Sequence, residues 1–148
     1  MVTQILQTFY VRDLEKLRQE ITLYKNENAI WIIRNEIANS AGNLCLHLIG
    51  NLNTYIGAVL DQSGYIRNRD LEFSLKDVPR DELIRKIDET IAVVKKAFEH
   101  VSDDQLAEEY PLVVFKEKTT LGYMLIHLST HLSYHLGQVN YHRRLLDN

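Results

Sequence analysis

The chain has 148 residues, 45% hydrophobic and 25% charged, with a formal net charge of −3. That length suits one domain, 1–148, with enough apolar material for a real core. The acidic balance and scattered Lys and Arg argue against nucleic acid as a partner, and no apolar stretch is long enough to cross a bilayer.

Taken in chain order, the first predicted helix runs from Thr3 to about Leu23. Ile5, Leu6, Phe9, Tyr10, Leu14, Leu17, Ile21 and Tyr24 recur along it at helical spacing. A loop follows, and Asn26 is placed to cap a short turn through Ala29 to Trp31. A second long helix is expected from Asn39 or Ser40 to about Leu60. Asn43, His47 and Asn51, four apart, draw a polar stripe down its apolar body, and such residues cost energy unless paired or functional. Residues 61–78 are polar and read as a long loop. Its opposite charges, Arg67, Arg69, Asp70 and Glu72, suggest an ion-pair network that orders it near a cleft or a dimer contact. Pro79 marks the start of a third helix, Arg80 to about Val101, with Leu83, Ile84, Ile87, Ile91, Val94 and Phe98 on its inner face. Ser102 to Leu106 resembles a cap and one turn, and Leu112 to Phe115 a brief extended piece. Thr119 or Thr120 caps the last helix, which continues to about Leu146. The expectation is all-α, a four-helix bundle with long loops after helices one and two, against a simple up-down meander.

The most informative feature lies on that last helix: His127, His131 and His135 at a spacing of four. Residues four apart differ by about 40° around a helix, so the imidazoles share one face. Histidine is 6 of 148 residues, so a given histidine has partners at both +4 and +8 only about once in 600 by composition. Three histidines along one helix span too much rise for all to reach one ion comfortably. Two bind and a third ligand comes from elsewhere, with His47 the best candidate. His47, His131 and His135 leave an open coordination position, the pattern of a catalytic zinc centre. The Glu-x-x-His pairs of di-iron carboxylate bundles are missing. Asn43, Asn51, His127 and Gln138 are candidates to support the ligands or touch a substrate. Gly137 suggests close helix packing. His100 and His142 read as surface residues. Cys45, about 200° around the helix from His47, reads as core and has no disulfide partner. The start, Met1-Val-Thr-Gln-Ile-Leu, lacks the basic and apolar regions of a secretory signal, which points to the cytoplasm.

Two segments carry a family resemblance. They are Asn39-Ser-Ala-Gly42-Asn43-Leu-Cys-Leu-His47-Leu-Ile-Gly50-Asn51-Leu and His131-Leu-Ser-Tyr-His135-Leu-Gly137-Gln138. With them the chain resembles the DinB-like (DinB/YfiT-like) metalloenzyme superfamily over most of its length. Residues 67–73 also resemble a loop in one branch of it. The resemblance implies a four-helix bundle with an unusual arrangement of its first three helices, often a homodimer. It implies a divalent ion, zinc or nickel, on His47, His131 and His135. Characterised relatives include transferases and isomerases that use mycothiol, bacillithiol or glutathione. The expectation is a metal-dependent transferase joining a low-molecular-weight thiol to an electrophilic small molecule. A metal-dependent hydrolase and a non-catalytic, stress-associated metal-binding protein stand as alternatives. A general base such as Glu or Asp beside the ion would favour hydrolysis, and an apolar pocket next to the open metal position would favour the transferase.

Overall fold

The computed structural model describes residues 1–148. It is all-α, with five helices: α1 (Val2–Leu23), α2 (Ala41–Leu52), α3 (Arg69–Ser74), α4 (Arg80–Phe98) and α5 (Leu121–Leu146). Leu6, Tyr10, Leu14, Leu17 and Ile21 form the buried stripe of α1. Ser40 Oγ accepts the Asn43 N–H to cap α2, and Thr120 Oγ1 accepts the Tyr123 N–H to cap α5. The first turn of α4 carries Asp81 and Glu82 and its last turn Lys95 and Lys96, each sign matched to the helix dipole.

All twelve residues of α2 are buried, so this helix is the centre of the molecule. Its approach to the chain before it depends on Gly42, where a Cβ would lie 2.6 Å from the Trp31 ring. Beyond Leu52 the helix continues as a six-residue π stretch, Asn53–Ala58. There the Asn53 and Thr54 side chains donate to Ile49 O and Gly50 O, competing with the regular ladder.

Side-chain contacts fix the helix directions. Glu20 meets Asn140 and Arg143, and Tyr10 donates to Leu125 O, so α1 and α5 run parallel. Arg18 pairs with Asp88 and Arg80 reaches Tyr24 O, so α4 runs against α1. Asn53 meets Thr90 and Asp61 meets Lys96, so α2 and α4 run the same way. The long helices therefore go up, down, down, up, which is not an up-down meander. Two helices pointing alike cannot be joined by a tight turn. The chain must travel back along α2, and residues 61–79 make that return.

Several expectations change at this level. The return segment is not structureless, because it contains α3, capped by Asn68 Oδ1 on the Leu71 N–H. Leu112 to Phe115 form no strand, and a single bridge joins Glu109 and Thr120. His142 is buried, not at the surface. Its Nε2–H donates to Ile32 O at 2.8 Å and its Nδ1 accepts the Tyr24 hydroxyl at 2.7 Å, so it works as a neutral cross-brace. Gly137 is no close-packing site, since a Cβ there meets nothing within 4 Å. Tyr10 and Tyr24 are core residues, whereas Tyr134 and Tyr141 are exposed. No helix is long and apolar enough to cross a membrane.

Candidate metal centre

α2 and α5 run antiparallel, and their facing stripes bring His47, His131 and His135 together. The three Nε2 atoms converge: His131 Nε2 lies 3.2 Å from that of His47 and 3.1 Å from that of His135. Nitrogens on a tetrahedral ion at 2.0–2.1 Å would stand about 3.3–3.4 Å apart, so the spacing is within a few tenths of what zinc needs. Three nitrogen donors suit a borderline divalent ion.

Their outer nitrogens decide the protons. A carboxylate can only accept, so His47 carries its proton on Nδ1 and donates to Glu72 Oε1 at 3.0 Å. His135 Nδ1–H donates to Gln138 Oε1 at 2.6 Å. Both rings therefore turn a bare Nε2 lone pair toward the common point, as metal ligands must. Burial pushes the pKa of His131 down to about 4, with repulsion from His135, His47, His127 and Arg67 adding to it. Burial also lowers that of His47, against the pull of Glu72. His131 and His47 thus favour the neutral ring, able to donate a lone pair.

Glu72 is the functional residue whose role sequence reasoning missed. It stands on α3 with 5% of its surface exposed. Arg67 grips it twice, Nε to Oε2 at 2.8 Å and Nη2 to Oε1 at 2.9 Å. The Arg67 guanidinium lies 5.7 Å from the Tyr55 ring centre. A buried charge needs such a partner. Gly50 makes the room: a Cβ there would fall 1.9 Å from Glu72 Oε2. Gly50, three residues after His47 on α2, was the available signal, because a glycine inside a buried helix marks a close approach.

The charged-loop expectation resolves into that one ion pair, on the metal side. Arg69 instead lies over the Phe73 ring at 5.3 Å, and Asp70 makes no ion pair. The Asn43 side chain makes no hydrogen bond to any of the three histidines. Its Nδ2 donates to Glu72 O at 3.0 Å and Leu75 O at 2.8 Å, pinning the return segment to α2. His127 stacks over His131 at 6.3 Å and meets the Phe115 ring edge at 4.7 Å, outside the triad. Asn51 is buried with its Oδ1 unpartnered. Cys45 is buried and its thiol is pushed up to about 12 by burial, so it is inert.

A cavity of about 520 Å³ adjoins the triad at His135. Ile37, Leu44, Tyr134, Tyr141 and Leu145 give it apolar walls, and Glu36 is its only carboxylate.

An all-α chain whose facing helices aim three imidazole nitrogens at one point has the donor set of a mononuclear metal centre. It belongs to the family described as protein of unknown function (DUF1572), whose family model matches residues 4–148. No match was found among curated proteins.

Proposed function

We propose that this protein is a DinB-like metalloenzyme built on a four-helix bundle, which joins a low-molecular-weight thiol to an electrophilic small molecule. His47, His131 and His135 would hold the ion, zinc or nickel as the family resemblance implies, and three imidazole nitrogens suit either. An ion held by these three residues would supply the positive charge that keeps a thiol sulfur ionised at neutral pH. The sulfur then forms a carbon–sulfur bond as the carbon–leaving-group bond breaks. The leaving group takes the bonding pair, and the thiol proton passes to water.

The observation that carries this reading is the cavity beside His135. At about 520 Å³ it falls in the range of small-molecule pockets. Its apolar walls suit the body of an alkyl or aromatic electrophile. The hydrolase alternative has weaker support: the only carboxylate lining the cavity, Glu36, makes no hydrogen bond to any of the three histidines. The one carboxylate bonded to the triad is Glu72, and both its oxygens are taken by Arg67 and His47. A base for water would need a free oxygen.

The test is metal analysis followed by a conjugation screen that pairs glutathione, bacillithiol and mycothiol with epoxides, haloalkanes and activated aromatics. Thiol consumption should require the ion and vanish in His131→Ala and His135→Ala, whose helical circular dichroism should stay near wild type. Full metal retention in either variant would sink the site. A metal-loaded protein that consumes no thiol would reject the transferase and leave the hydrolase and non-catalytic alternatives.

We also propose a homodimer, as the family resemblance implies, and a cytoplasmic location, with which the lone buried Cys45 agrees. Support for the dimer comes from exposed Tyr123, Ile126 and Tyr141 on α5, because aromatic residues are enriched at interfaces. Light scattering at micromolar concentration should give twice the chain mass. A monomer would reject the dimer and leave the intrachain triad untouched.

A further inference from the structure

Three buried side-chain atoms lack a hydrogen-bonding partner: Arg80 Nε, Asn51 Oδ1 and His131 Nδ1. Arg80 already uses its other nitrogens on Thr22 O and Tyr24 O. The remaining two stand on the facing helices of the triad. Asn51 follows His47 by one turn on the same stripe of α2, with 8% of its surface exposed. In the antiparallel pair, His47 is opposite His131 and His135, and Leu44 shares the cavity with the later residues Tyr141 and Leu145. Asn51 therefore belongs at the level of His131 or the turn before it.

The two atoms are complementary in one tautomer and not in the other. A neutral imidazole carries a single N–H. His47 and His135 both present bare Nε2 atoms, so a proton on His131 Nε2 has two acceptors within 3.2 Å. That tautomer leaves Nδ1 an acceptor, unable to bond an amide oxygen. Giving Nε2 to a cation moves the proton to Nδ1, which then needs an acceptor. A buried N–H left without one is costly. The terminal torsion of Asn is broad, so the carboxamide can turn to meet it.

We propose that Asn51 is the positioning residue of His131, its Oδ1 accepting the Nδ1–H of that ring when Nε2 binds the metal ion. Each ligand then has its own outer partner: Glu72 for His47, Gln138 for His135 and Asn51 for His131. This inference rests on the metal-site reading above.

The experiment is zinc competition against a fluorescent chelator on the full chain. It is joined by nitrogen-15 imidazole spectra of the zinc-loaded protein. Asn51→Leu keeps the volume and removes the acceptor, and should bind zinc about 10- to 100-fold more weakly. Asn51→Asp keeps an acceptor oxygen and should hold zinc at least as well as wild type. A merely packing role predicts the reverse order, which would overturn the proposal, as would Asn51→Leu binding zinc like wild type. The spectra stand even if a variant fails to fold. In zinc-loaded wild type, the His131 Hδ1 should be visible and slow to exchange. Exchange as fast as that of exposed His100 overturns the proposal. Wild-type protein that binds no zinc overturns the metal centre itself, a distinguishable failure.

Discussion

At the scale of single residues, two glycines predict opposite outcomes from the same substitution. Gly50→Ala places a Cβ 1.9 Å from Glu72 Oε2, so the carboxylate must shift from its place between Arg67 and His47. Overpacking of this kind costs about 1–3 kcal/mol, and loss of the outer partner should weaken metal binding about 10- to 100-fold. Gly137→Ala meets nothing within 4 Å on an exposed stretch of α5. It should raise stability by up to about 1 kcal/mol through helix propensity. Urea unfolding and chelator competition on both variants check the pair. Equal effects would refute the assigned role of Gly50. The histidine spacing made the α5 ligands legible, since a four-residue repeat maps directly onto one helix face. Glu72 was legible only as a charge in a loop. Its function depends on which element passes beside α2, and that is set by long-range packing.

At the scale of elements, α3 is too short to hold itself together. A helix of six residues lies well below the length at which helices persist in water. Asn43 supplies the anchor through Glu72 O and Leu75 O, and Lys76 Nζ closes on Asn43 Oδ1 at 2.9 Å. Asn43→Leu should therefore release the return segment without unfolding the long helices. Limited proteolysis should cut within residues 61–79 several-fold faster than in wild type, with helical circular dichroism retained. An unchanged cleavage rate would show that the ion pair alone holds the segment. The long helices could be read from apolar periodicity, and the caps at Ser40 and Thr120 from residue type. The burial of His142 could not, because its partners Tyr24 and Ile32 lie 118 and 110 residues away in sequence.

At the scale of the whole molecule, buried neutral histidines make stability depend on acid. His47, His131 and His142 all titrate below the ordinary 6.5, chiefly because burial disfavours the charged ring, and His131 is pushed down to about 4. The unfolded chain therefore binds more protons than the folded one across that interval. Stability is full above about 6.5 and falls as the pH drops toward about 4. Thermal unfolding without added metal should show a midpoint that declines steadily from pH 7 to about pH 4.5. A midpoint constant over that span would contradict the burial assigned to these rings. The up-down-down-up order has a consequence for how the chain is made. Until α5 docks, the growing polypeptide holds His47 and Glu72 but neither of the other two imidazoles. No partial product can therefore capture an ion at this position. An ion arriving before α5 packs on α2 finds no seat, so loading would follow that packing step and not guide the folding that precedes it.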